Sequence, residues 1–191
     1  MPPRVLAVLL MFTPMAFSAE KPVTTPLPKG VQKVEVGFEP AEARPGQVVT
    51  FKLTVTLAEG YHTYPLLQAD KQAAEMVNKI DFPEAGPIVF VGEAVNPPAP
   101  ESKAEPLLGI KSLNYYSGKV VYERKAVVSP KANAGAINVA IPKFVLSVCD
   151  KDSCFPPKTL APEAAFKVLD GPAVVVDPKY VAEVQKALKD K

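Results

Sequence analysis

Between Val49 and Leu57 apolar and polar residues alternate without a break. Val49, Phe51, Leu53, Val55 and Leu57 form one set, and Thr50, Lys52, Thr54 and Thr56 form the other. In a strand successive side chains point to opposite faces, so the first set is predicted to face a core and the second to face water. Such alternation marks an antiparallel sheet that is wet on one side. A shorter version precedes it, in which Val34, Val36 and Phe38 alternate with Lys33, Glu35 and Gly37, and Pro40 to Gly46 read as the turn between the two. Further strands are predicted around Tyr61–Tyr64, Ile80–Phe82, Pro87–Val91, Lys119–Val128, Ala136–Ile141, Lys143–Val148 and Ala164–Leu169. Pro142 forces an edge or a bend between two of these, because proline cannot donate to a ladder. Residues 68–78 are polar and helix-compatible, with Ala73, Ala74, Met76 and Val77. Residues 92–113, rich in Pro, Glu, Lys and Ser, read as a long loop. Asp177-Pro178 is an N-cap followed by proline at the first helical position, and Tyr180, Val181, Val184 and Leu188 keep helical spacing, so a short C-terminal helix is predicted. Seven to nine short strands with turn-rich connections predict an all-β fold, an immunoglobulin-like two-sheet sandwich with long loops and that one helix.

The ends of the chain set its organisation. Arg4, the apolar run Val5–Phe12 and the small-x-small site Ala16-Phe17-Ser18 read as a signal peptide over residues 1–18, with Ala19 the mature start. The run is far short of the roughly 20 residues that span a bilayer, so no membrane insertion is expected after cleavage. Residues 19–30 form a Pro-rich leader, 31–170 the sandwich domain, and 171–191 a tail with the short helix. The protein is therefore expected in the periplasm or outside the cell.

Composition narrows the function. The 191 residues carry 22 basic and 20 acidic side chains, a near balance that gives no support to nucleic-acid binding, which needs a clear basic surplus. The 22 prolines and 10 glycines fit a β protein with many turns and edges.

The candidate chemistry lies in Cys149-Asp150-Lys151-Asp152-Ser153-Cys154-Phe155-Pro156-Pro157, which holds the only two cysteines of the chain. In an exported protein the pair can form a disulfide, and such a bond is commonly structural. Closing a loop of about six residues, however, contributes only about 2 kcal/mol in the chain-entropy model, and a domain of this size has a core of its own. The pair lies just after an apolar strand and just before two prolines that stiffen the exit. A rigid turn of that kind can present two sulfurs to another protein. Lys151 and Lys158 favour a thiolate, whereas Asp150 and Asp152 oppose it. A structural bridge in a non-catalytic binding module and a redox pair both remain open on these residues. Zinc is a weaker reading, since the two cysteines and the single histidine, His62, fall short of a usual ligand set. His62 reads as a strand or loop residue with an ordinary hydrogen bond. No cofactor or metal is indicated.

The cysteine segment resembles the motif of the N-terminal periplasmic domain of the thiol:disulfide interchange protein DsbD, where two nearby cysteines precede an aromatic or aliphatic residue and usually two prolines. Gly60-Tyr61-His62-Thr63-Tyr64 is similar to the family's Gly-aromatic-x-x-Tyr strand, and Tyr115-Tyr116-Ser117-Gly118-Lys119-Val120-Val121-Tyr122 to its cap-loop segment. The likeness covers roughly residues 31–169 at low overall similarity. It implies an immunoglobulin-like sandwich that relays reducing equivalents from a membrane-embedded thiol electron donor to periplasmic thioredoxin-like or disulfide isomerase proteins. By position it implies that Cys149 and Cys154 are the redox pair, with Cys154 the interchange thiol. It places Tyr115 as a shield over the sulfurs, with Tyr61, Tyr64, Tyr116 and Phe155 beside them. Leu113 and Asn114 stand where acidic residues can occur in the family. The family's membrane and thioredoxin-like parts have no counterpart here, so the expectation is either a donor that is a separate protein or a domain that has lost the relay and kept the fold.

Overall fold

Val49, Phe51, Leu53, Val55 and Leu57 are all buried, as their alternation predicts. Thr54 of the opposite set is also buried, against expectation. The computed structural model describes residues 21–23 and 26–189. The expected signal peptide lies outside the described residues. The strands are β1 (Lys21–Pro22), β2 (Val31–Glu39), β3 (Glu42–Ala43), β4 (Val48–Leu57), β5 (His62–Thr63), β6 (Lys79–Asp81), β7 (Ile88–Val95), β8 (Glu101–Glu105), β9 (Ile110–Ser117), β10 (Lys119–Val128), β11 (Gly135–Ala140), β12 (Lys143–Leu146), β13 (Val148–Cys149), β14 (Lys158–Leu160) and β15 (Glu163–Val168). One α-helix, α1 (Val181–Lys189), follows them.

The largest sheet has the order β1-β2-β4-β10-β7. Facing it are two three-stranded sheets, β11-β15-β3 and β14-β12-β6. The core between these layers joins Val34, Val36, Phe38, Phe51, Leu53 and Val55 of the large sheet to Phe144, Leu146, Leu160, Ala164 and Phe166 of the small ones. The result is an all-β sandwich. Phe38 packs edge-on against Phe51 and Phe166 at centroid distances of 5.5 and 5.3 Å, a geometry that suits the aromatic quadrupole.

Val89, Val91 and Val127 face the other way and are covered by Tyr180 and Val184. Being buried on both sides explains the unbroken apolar runs Ile88–Val91 and Ala126–Val128, which show no alternation. Asp177 caps the helical segment by accepting from the Lys179 N–H at 2.9 Å, so the predicted helix and its cap are both present. Among the described residues no helix is long and apolar enough to cross a membrane. Part of the leader joins the sandwich, since β1 pairs with β2 and the Val23 N–H donates to the Val34 carbonyl.

Two predicted segments also differ from expectation. The stretch 92–113 is no loop: β7 runs to Val95, and β8 and β9 form a hairpin closed by Pro106-Leu107-Leu108-Gly109. β8 is exposed on both faces at four of its five residues, so no core imposes a period on it. The helix-compatible stretch 68–78 contains only one 3-10 turn, Lys71–Ala73. Its polar side chains bond to β9 instead of lining a helix. Gln68 donates from Nε2 to the Asn114 carbonyl and accepts the Asn114 N–H, while Asp70 accepts the N–H groups of Lys111 and Ser112. These bonds replace the missing neighbour of β9 along that edge.

Candidate functional site

The fourth sheet, β13-β5-β9-β8, carries Cys149, and Cys154 bridges to it from outside the named strands. Its register decides which side chains meet. Cys149 lies opposite His62, and His62 lies opposite Ser117. Opposite residues share a face, and so do residues two apart in one strand. Cys149, His62, Tyr64 and Tyr115 therefore gather on one face. Val148, Thr63 and Tyr116 gather on the other, which closes the main core.

Cys149 and Cys154 are joined in a disulfide. The turn between them is built by Asp150, whose carboxylate accepts the N–H groups of Asp152 and Ser153 at 2.9 and 2.8 Å. These bonds hold the Asp150 carboxyl below its usual range. The Asp150 N–H donates to the Ser153 carbonyl, and the Phe155 N–H to Val148, so the two cysteines face each other across a tight hairpin. The sulfur-bearing residues differ in setting. Cys149 is 1% exposed within an apolar cluster of Tyr64, Ala73, Ile110 and Leu113, whereas Cys154 is exposed.

The Tyr64 hydroxyl lies 3.2 Å from Cys149 Sγ and 3.4 Å from Cys154 Sγ. Disulfide sulfurs carry no proton, so the hydroxyl is the donor. Burial pushes the Tyr64 phenol above its ordinary pKa, which keeps the donor protonated at neutral pH. Both cysteines, Tyr64, His62, Met76 and Leu108 border one cleft of about 350 Å3. Leu107 and Leu108, at the tip of the β8–β9 hairpin, are strongly exposed.

The remaining expected residues divide. Tyr115 packs against the cluster that contains Cys149, with its ring 5.0 Å from His62. Tyr61 and Phe155 lie together at 6.1 Å on the flank, and Lys29 Nζ sits 4.7 Å from the Phe155 ring. Gly30 makes room for Tyr61: at φ +80° it sits so close that a Cβ would fall 2.1 Å from the Tyr61 ring. Tyr116 turns away from the sulfurs, buries its ring in the main core and donates to the Pro97 carbonyl. Adjacent residues of a strand take opposite faces, so Tyr115 and Tyr116 could not both border the site. His62 also departs from expectation, because its buried Nε2 has no hydrogen-bond partner among the described residues.

Sequence reasoning missed Asn78, which is 1% exposed. Its amide nitrogen lies 2.9 Å from Thr63 Oγ1, 2.7 Å from the Tyr64 carbonyl and 2.8 Å from the Tyr122 hydroxyl. Its Oδ1 accepts the Ser147 N–H at 2.8 Å. Asn78 thus ties Thr63 of β5 and the adjoining Tyr64 to Ser147, the residue before β13. Tyr122 adds a bond to the Tyr64 carbonyl at 2.6 Å, and burial raises its own phenol pKa strongly. An isolated asparagine among polar residues gives no periodic signal, so nothing in the sequence marks it.

No protein-family model and no curated protein matches the chain. The chain is similar in structure to the N-terminal periplasmic domain of ScsB from Proteus mirabilis, with a TM-score of 0.50 and 16% sequence identity. The match covers 91% of this chain and 59% of that one, so the chain spans about three fifths of its neighbour's length. At that identity the likeness shows the fold alone, a β-rich architecture in common with a solved periplasmic domain.

Proposed function

We propose that the chain is an extracytoplasmic thiol–disulfide exchange domain whose Cys149–Cys154 pair relays two electrons between protein partners. The observation that carries this reading is the asymmetry of the disulfide. Cys154 is exposed and Cys149 is buried, and one tyrosine hydroxyl lies within hydrogen-bond reach of both sulfurs. Shared architecture with a periplasmic domain and the DsbD-like cysteine motif support the same reading. They also favour a membrane-embedded thiol protein as donor and thioredoxin-like or isomerase proteins as acceptors.

In the proposed reaction a donor thiolate attacks Cys154 Sγ, the sulfur it can reach. A donor–Cys154 disulfide forms, the Cys149–Cys154 bond breaks, and the electron pair leaves on Cys149. The Tyr64 hydroxyl is placed to donate to that thiolate. The donor's second thiolate then attacks its own mixed disulfide and frees Cys154, leaving the dithiol form. Oxidation by an acceptor disulfide runs the same steps in reverse, with Cys154 attacking and Cys149 resolving.

Cys149→Ala removes the resolving thiol and leaves the reachable one. Expressed with its signal in a Gram-negative host, this variant is expected to accumulate mixed disulfides with partner proteins that dithiothreitol cleaves. Cys154→Ala is expected to trap far less, because the sulfur it retains is buried. If neither variant forms reducible adducts, the exchange reading is wrong.

A further inference from the structure

The mechanism leaves one group in the site unused. His62 lies directly opposite Cys149 in the ladder and borders the same cleft. Side chains so paired have Cβ atoms about 5 Å apart. Its ring sits against Tyr115 at 5.0 Å and edge-on to Tyr64 at 6.0 Å, which fixes it in place. With the cysteines oxidised, Nε2 is buried and has no partner among the described residues. Buried polar atoms are normally paired, and an exception at a redox site calls for a reason.

Cys149 has the complementary need. To act as the resolving thiol it must become a thiolate. Burial among Ile110, Leu113 and Ala73 opposes that charge. The charged groups around the imidazole partly cancel. Lys103 on β8 opposes its protonation, while Glu101 on β8 and Asp150 in the turn favour it. Lys151 borders the cleft from the same turn. Asp152 of that turn and Glu105 of β8 line the cleft too, and the rings of Tyr64 and Tyr115 flank the imidazole. Burial is the largest influence on the ring and holds it below its ordinary pKa, so the resting ring is neutral with a lone pair free, and Glu101 and Asp150 are the groups that would favour its protonated form.

We infer that His62 is the proton acceptor for the Cys149 thiol, so that the unpaired nitrogen of the oxidised state becomes the base of the reduced state. This inference rests on the exchange reading above. In the mixed disulfide between Cys154 and an acceptor, the Cys149 proton passes to His62 Nε2. The thiolate attacks Cys154 Sγ, the Cys149–Cys154 bond forms, and the electron pair leaves on the acceptor sulfur. The imidazolium then gives its proton to solvent through the cleft. Reduction of the pair returns a proton to Cys149 by the same route.

The test is the pH profile of the resolving step. An aromatic disulfide added to the reduced protein couples to Cys154 and releases one thionitrobenzoate; attack by Cys149 releases the second. Stopped-flow absorbance from pH 5 to 9.5 gives the second rate. His62→Gln is expected to slow it by about tenfold or more at pH 7, equivalent to a one-unit rise in thiol pKa. The gap between the two proteins should narrow steadily toward pH 9.5, as hydroxide replaces the imidazole as proton acceptor. Parallel profiles, displaced by the same factor at every pH or not displaced at all, would overturn the inference. If the variant folds poorly, the wild-type chain still decides the matter. His62 is its only histidine, so a single imidazole resonance reports its titration. That midpoint should move on reduction of the disulfide, and an unmoved midpoint overturns the role. A wild-type protein that releases no second thionitrobenzoate would instead contradict the exchange reading itself.

Discussion

Tyr64 contributes two separable things to the site. Its hydroxyl reaches both sulfurs, while its carbonyl is the acceptor that Tyr122 and Asn78 hold. Tyr64→Phe removes only the first. A hydrogen bond to a charged group is worth about 1.5 kcal/mol or more, close to a factor of ten in rate or equilibrium. The variant is expected to keep its thermal midpoint within a few degrees of wild type and to exchange with a small disulfide about tenfold more slowly, measured by stopped-flow. An unchanged rate would show that the hydroxyl does not stabilise the Cys149 thiolate. At this scale the sequence was informative about identities and poor on directions. The cysteine pair, Tyr64 and Tyr115 were legible from their motifs. That Tyr116 faces the core was hidden, because which of two adjacent tyrosines faces the sulfurs depends on the register of β9 against β5. The exposure of Cys154 and the unpaired nitrogen of His62 were hidden too, since both follow from packing.

The elements around the cysteines are short, and β5 and β13 are two residues each. So few ladder bonds cannot fix a site, and side chains do the remainder. Asn78 bridges β5, Ser147 and Tyr122, while Gln68 and Asp70 pin the 66–78 segment to β9. Asn78→Ala strands several buried groups at once, and each buried donor or acceptor left unpaired costs about 1–3 kcal/mol. A loss of about 2–4 kcal/mol in urea unfolding is expected, with faster oxidation and reduction of a less firmly seated Cys149. A loss under about 0.5 kcal/mol would mean that water replaces the amide and the clamp is unimportant. Long strands with one buried face, β2 and β4, announced themselves by alternation. The β8–β9 hairpin did not, because most of β8 faces solvent on both sides and its turn begins with Pro106. Nor did the 68–78 segment, whose polar residues suit a helix but serve as side-chain partners for a strand edge.

Across the molecule the site and the core are separate. The aromatic core of Phe38, Phe51, Phe90 and Phe166 lies within the sandwich, and Cys149 belongs to a smaller, separate cluster. A six-residue ring restrains the unfolded chain by about 2 kcal/mol, so opening it is not expected to unfold the domain. That separation is what an exchange domain needs, since its bond must break in every cycle while the fold persists. A structural bridge would have the opposite character and resist physiological reductants. The equilibrium reduction potential of the Cys149–Cys154 couple, measured against glutathione or dithiothreitol buffers, tests this most directly. A potential above about −300 mV is expected, within reach of the exchange proteins that span about −270 to −120 mV. A potential below about −300 mV would contradict the account and leave the pair a structural clip.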